Sequence, residues 1–195
     1  MKKKKNSMVG TGIFLAVMAV AMVAYFFYLS NKEKARREAK VDITPVQEAI
    51  MRNLDTNYPP TPREVIKYYS EITKCLYNEE YTDEELEQLV DQMNRLYDWE
   101  LLQKNNNGDY MISLKSDIVD FNTKKMMIST YTISSSTDVY EYQVDGFSFA
   151  RLHCIYTLRQ NNYRQDLDQV FLLRMDEDGH WKIYGWASAD DVTEE

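Results

Sequence analysis

Few residues in this chain are imidazoles or thiols, the side chains most often used as bases, nucleophiles and transition-metal ligands. The histidines are His153 and His180, and the cysteines are Cys75 and Cys154. His153 adjoins Cys154, but neighbours on an extended strand point to opposite faces, so the two form no nucleophile–base dyad. His180 follows an Asp178-Gly179 turn, where solvent is expected to reach it. The sequence holds no GxxxxGK phosphate loop, no CxxC, no HExxH and no GxSxG elbow. Asp176-Glu177-Asp178 is acidic enough to suggest calcium but lacks the spaced oxygen ligands of a calcium loop, and reads as a solvated hairpin tip. No catalytic residue, cofactor or metal site is therefore assigned. Two cysteines are too few for a disulfide framework, and they read as buried thiols, with a single bridge in an oxidising compartment as the alternative.

The 15 tyrosines and three tryptophans are the other chemically useful stock. They suit a sugar or peptide groove, and equally the core of an aromatic-rich sheet, which is the preferred reading.

Charge divides the chain. Residues 1–40 hold nine Lys/Arg against two Asp/Glu, a net of +7, and the remaining 14 against 29 give −15. The basic flank suits anionic lipid headgroups. The acidic remainder argues against nucleic acid, which needs a basic footprint to displace counterions.

Met8 to Leu29 runs for 22 residues without a charge, which as a helix spans roughly 33 Å, about the hydrocarbon thickness of a bilayer. The cluster Tyr25-Phe26-Phe27-Tyr28 suits the headgroup zone at one end. A cleaved signal peptide is the rival, since Ala19-Val20-Ala21 is a small-x-small site behind four lysines. That site sits mid-run, however, and would strand Val23–Leu29 on the mature end. The lipid bilayer is thus the first expected partner, through Met8 to Leu29. Four lysines before the span and five Lys/Arg after it leave the charge rule undecided. The short tail without acids favours the N-terminus inside and the acidic domain outside.

The expected organisation is a cytoplasmic basic tail (1–7), a transmembrane helix (8–29), a charged helical stalk (30–43), a soluble domain (44–188) and an acidic tail (189–195). Three threonines, Thr44, Thr61 and Thr82, each precede Gln or Glu by three residues, the capping-box spacing. Prolines at 45 and 62 occupy the first helical position. Helices are predicted over 45–54, 62–78 and 83–103, with a fourth near 109–125 turning Ile118, Val119 and Phe121 inward. From residue 126 the apolar period becomes two, and strands are predicted over 127–135, 139–145, 149–159, 168–175 and 180–187. On the long strand Ala150, Leu152, Cys154, Tyr156 and Leu158 share the core face. A two-residue turn at Asp178-Gly179 would pair Met175, Leu173 and Phe171 with Lys182, Tyr184 and Trp186, leaving both faces of that hairpin apolar and each in need of cover. Helices followed by strands make an α+β domain.

Helices leading into a curved antiparallel sheet that ends in VFLLRMDEDGHWKIYGW (Val170–Trp186) resemble the nuclear transport factor 2-like superfamily, over about residues 60–188. The resemblance implies a cone-like fold. The whole layout, with NYPPTPREVIKYY (Asn57–Tyr69) as its most distinctive part, is also similar to an uncharacterised family of small single-pass proteins from Gram-positive bacteria. Neither resemblance supplies an activity, because that superfamily hosts enzymes, binding modules and scaffolds. Its enzymes place an acid–base Asp or His in the cone interior, and the core face of the long strand has none. Cys154, Tyr156, Tyr184 and Trp186 are the candidate lining of a ligand pocket. The expected role is a membrane-anchored, extracytoplasmic, non-catalytic interaction or ligand-binding domain, as a homodimer or with an envelope partner. The alternatives are an isomerase or lyase using the cone cavity, and a structural spacer.

Overall fold

The computed structural model describes Tyr25 and residues 43–105 and 109–192. The expected span Met8–Leu29 (Tyr25 apart), the stalk to residue 42 and the last three residues of the acidic tail lie outside the described residues. Among the described residues no helix is long and apolar enough to cross a membrane. The chain divides into two units between Ile43 and Thr44.

The second unit is α+β, with helices packed on an antiparallel sheet. Its helices are α1 (Pro45–Met51), α2 (Pro62–Asn78), α3 (Asp83–Asn94), α4 (Trp99–Asn105) and α5 (Asp109–Thr123). The capping signals act as the chemistry dictates. Thr44 and Thr82 close complete boxes with Gln47 and Glu85. Thr61 accepts from the Glu64 amide at 3.2 Å, but the Glu64 carboxylate lies near Arg63 and Lys67 instead of reaching back.

The predicted helix 83–103 is two helices. Between them Leu96 and Asp98 pair with the strand Trp181–Ser188: the Ile183 amide donates to the Leu96 carbonyl at 2.8 Å, and the Asp98 amide to the Ile183 carbonyl at 2.9 Å. Leu96 and Tyr97 are buried as their spacing predicts, but off the helix. Asp98 then starts α4, its carboxylate accepting from the Glu100 amide at 2.9 Å. In α5, Ile118 is buried, whereas Val119 is 63% exposed and does not face inward.

The strands are β1 (Met126–Ile133), β2 (Tyr140–Val144), β3 (Phe147–Gln160), β4 (Tyr163–Met175) and β5 (Trp181–Ser188). They form one sheet in the order β1-β3-β4-β5, with β2 beside the first half of β3. Asp145 (φ 51°) and Gly146 (φ 83°) make the tight β2–β3 turn. β3 and β4 form one hairpin paired from Phe149↔Arg174 to Gln160↔Tyr163. Tyr163–Leu167, outside the predicted strands, thus belong to β4, their alternation hidden by the polar run YRQD.

The closing hairpin departs from the two-residue reading. The Asp176 amide donates to the His180 carbonyl at 2.9 Å, and of the loop Glu177-Asp178-Gly179 only Gly179 has positive φ. Met175 pairs with Trp181 and Leu173 with Ile183, and a bulge then restores Leu172↔Gly185 and Phe171↔Trp186. Trp181 and Ile183, not Lys182 and Tyr184, therefore fill the core under Leu173. The bulge leaves Tyr184 unpaired and reverses the strand's facing, so Trp186 points inward again.

The helices cover one face of the sheet. Asn78, the last residue of α2, clamps β1 by donating to the Ile128 carbonyl (2.8 Å) and accepting from its amide (2.9 Å). Val65, Ile66, Ile72 and Leu76 of α2 lie with Leu89, Leu152, Phe171, Leu173 and Ile183 in a core almost closed to solvent.

Candidate functional site

Between α2, α5 and the inner face of the sheet lies a pocket of about 510 Å³. The stripe Tyr69, Thr73, Leu76, Tyr77 of α2 forms one wall, at the i, i+4, i+7, i+8 spacing of a helix face. On α5 the stripe Tyr110, Leu114, Asp117, Phe121 forms the opposite wall. Met93 and Tyr97 stand at one end, and Ile128, Tyr156, Leu158 and Trp186 rise from the sheet.

The aromatic rings are in mutual contact. Tyr97 stacks with Trp186 at 5.9 Å between centroids, and Tyr69 lies 5.9 Å from Trp186 and 6.2 Å from Tyr97. Phe171 meets Tyr69 edge-on from beneath at 5.5 Å, and Phe121 meets Tyr77 edge-on at 4.9 Å. These separations fit attractive ring geometries, so the lining is self-supporting. Its polar groups are sparse. The Tyr156 hydroxyl hydrogen-bonds Ser70 Oγ at 2.7 Å, and the Tyr110 hydroxyl donates to Met93 Sδ at 3.8 Å. Burial raises the hydroxyls of Tyr69, Tyr97 and Tyr156 above the ordinary phenol range, and burial followed by the Asp117 charge does the same to Tyr77. These phenols stay neutral, and serve as ring surfaces and hydrogen-bonding groups, not as bases near neutral pH.

The four sequence candidates are placed differently. Tyr156 and Trp186 line the pocket. Cys154 lies just behind it, fully buried, with Sγ 3.6 Å from Ser70 Oγ. Tyr184 is on the other side of the sheet, its hydroxyl 3.1 Å from Glu100, because the bulge separates two residues that a regular strand would keep on one face. Cys75 and Cys154 are both free and buried, and burial raises both thiols, Cys75 to about 11. They remain protonated and unreactive. Sequence reasoning missed Tyr69, Tyr77 and Tyr97 as pocket walls, and it missed Tyr110 and Asp117. The signal of the last two was the 110-114-117-121 spacing, hidden because Ser113 and Asp117 interrupt the apolar pattern.

The remaining chemistry-bearing groups lie outside this pocket. His153 Nδ1 lies 3.1 Å from Asp168 on the exposed outer face. Asp176, Asp178 and His180 bring ligand atoms within 4.8 Å of one another, but Asp176 Oδ1 already accepts from the amides of Asp178 (3.1 Å) and His180 (2.7 Å). A second cleft, of about 580 Å³, is lined by Arg52 and Lys74 among Glu48, Glu71 and Glu79. Its charges largely offset one another, and Arg52 is seated over the Tyr68 ring at 4.5 Å.

An α+β domain with an aromatic pocket between helices and sheet is the class that fold and site define. A comparison with curated proteins finds no match. The chain belongs to the family described as Domain of unknown function (DUF6715), whose sequence model matches residues 1–186.

Proposed function

We propose that this chain is a non-catalytic binding protein whose ligand occupies the pocket of Tyr69, Tyr77, Tyr97, Tyr156 and Trp186, held at the membrane by Met8–Leu29 with its domain outside the cytoplasm. The observation that carries the reading is the pocket's make-up. It has the volume of a small-molecule site, its walls are mostly ring and methyl surface, and among the described residues its lining contains no histidine, cysteine, lysine or arginine. Ring walls with neutral hydroxyls hold a ligand by area and orientation, and the carboxylate among the described lining residues, Asp117, is exposed to solvent. A cone-like, nuclear transport factor 2-like fold belongs to the same proposal. A long helix laid across an antiparallel sheet that closes on the hairpin Val170–Trp186 supports it.

The test is binding of the neutral dye N-phenyl-1-naphthylamine to the full-length chain in phosphatidylglycerol nanodiscs, with empty discs subtracted. Saturable binding at one site, lost in Thr73→Trp, is expected. No binding beyond that of empty discs, or binding indifferent to a tryptophan in the pocket wall, sinks the reading. Protease added to intact cells is expected to remove the domain, and its full protection would overturn the orientation.

Self-association is the second reading, and the outer face of the sheet favours it. Tyr140, Phe147 and Trp99 are 60%, 50% and 59% exposed there. Tyr140 continues the ring cluster of Tyr142, Phe149 and Tyr184, and Phe147 and Trp99 join it through the Arg174 guanidinium. Aromatic groups so grouped and so exposed are typical of interfaces.

A further inference from the structure

Resting on the pocket reading above, we infer that the ligand is an organic cation, an ammonium group carried on an apolar or aromatic body.

Two features of the lining converge on positive charge. The first is the wall of rings. Aromatic faces are negative at their centres, and a cation within about 6 Å of a ring centroid is attracted, most strongly by tryptophan and tyrosine. Tyr69, Tyr97 and Trp186 present contiguous ring surface, and Tyr77 and Tyr156 extend it. The second is formal charge. Among the described residues Asp117 is the one ionisable carboxyl in the lining, and no lysine, arginine or histidine accompanies it. Lys115, its neighbour on α5, is directed to Asp83 at 3.2 Å. Asp117 is exposed, so it stands at the mouth, where it keeps its hydration while attracting a positive group toward the rings.

An anion would meet this carboxylate and the negative ring faces with nothing to offset either. A neutral ligand would use the rings but leave Asp117 without a role. The charge of −15 carried beyond residue 40 acts in the same direction at longer range, raising the local concentration of cations over anions. The second cleft is the internal contrast, because there Arg52 and Lys74 sit among the glutamates.

The probes are hydroxyphenyltrimethylammonium and tert-butylphenol, which share a shape and differ by a charged nitrogen in place of carbon. Each is titrated calorimetrically into the full-length chain in phosphatidylglycerol nanodiscs, with empty discs subtracted. The ammonium compound is expected to bind about tenfold more tightly than the phenol. Asp117→Asn should reduce that preference about fivefold, read as the ratio of the two probes' affinities in the same variant. Thr73→Trp should abolish binding of both, with Ser113→Trp as the substitute if that variant does not fold. Equal affinities for the two probes overturn the cation inference and leave the pocket reading standing. A preference that Asp117→Asn does not alter also overturns the assignment of Asp117. Failure of both probes to bind removes the pocket reading along with it.

Discussion

On β3 the residues Ala150, Leu152, Cys154 and Tyr156 are at most 4% exposed, while Arg151, His153 and Ile155 between them are exposed. One strand thus serves two environments. Inward, its side chains meet α2 and close one end of the tyrosine-lined pocket. Outward, they join Tyr140, Tyr142, Phe147 and Tyr184 on a face that the start of α4 meets through Trp99 and Glu100. Both faces are rich in rings, so composition does not separate them. Cover does. Inner rings are fixed by helices packed across them, whereas outer rings are held by each other and by one ion pair.

That ion pair is where the comparison can be broken most severely. Arg174 is 8% and Asp98 4% exposed, with guanidinium–carboxylate contacts of 2.9 and 2.6 Å and a further bond to Glu100 at 2.8 Å. The guanidinium also lies over Phe147 (5.1 Å) and Tyr184 (4.8 Å). It thereby ties the Asp98–Glu100 segment to the outer face. Arg174→Met strands a buried carboxylate and should cost about 3–5 kcal/mol. For a domain of this size that lowers Tm by roughly 10 °C. Adding Asp98→Asn should recover most of the loss, because the penalty lies in the unpaired charge and not in the missing attraction. A Tm drop in the single variant of only a degree or two would show that Asp98 is already hydrated.

A smaller effect is expected on the inner face. Ser70→Ala removes the partner of the Tyr156 hydroxyl at 2.7 Å and of Cys154 Sγ, leaving buried polar atoms unsatisfied. A loss of about 1–3 kcal/mol is expected in chemical denaturation. Tyr156→Phe removes the hydroxyl itself and should cost less, about 1 kcal/mol. Equal losses would mean that water reaches Tyr156 from the pocket and replaces Ser70.

The outer rings should behave in the opposite way. Phe147→Ser alters a half-exposed side chain, so folding stability should change by about 0.5 kcal/mol or less. Self-association of the full chain, followed by analytical ultracentrifugation, should weaken tenfold or more. If the wild type sediments as a monomer at high micromolar concentration, the self-association reading falls.

Legibility in the sequence runs along the same inner–outer division. Helix starts were readable because a threonine cap and its N3 partner are local chemistry, and Thr44, Thr61 and Thr82 all cap helices. The core face of β3 was readable because alternation comes from strand geometry. What escaped depended on contacts distant in sequence. Leu96–Asp98 has helical spacing, yet β5 draws its backbone out of the helix. The Tyr184 bulge leaves no composition signal, and it alone decides that Trp186 joins the pocket while Tyr184 joins Glu100. The pocket itself needs α2 and α5 side by side, and neither stripe announces its partner.

The mildest test concerns acid. Hydrogen bonding from Arg174, with help from Tyr184, holds the Glu100 carboxyl below the ordinary glutamate value of about 4.5. A carboxyl depressed in the folded state contributes stability above its unfolded pKa, and that contribution is lost as pH falls through the folded value. Wild type should therefore exceed Glu100→Gln in Tm at neutral pH, with the difference unchanged down to about pH 4.5. Below that the two curves should converge, since the protonated acid and the amide then make comparable bonds. Among the described residues the inner face has no ionised partner of this kind hydrogen-bonded to Ser70 or Tyr156, so the difference between wild type and Ser70→Ala should stay flat over the same range. A Ser70→Ala difference that also faded in acid would mean that the two faces loosen together. In that case the outer ion pair would support the pocket as well as the edge it visibly holds.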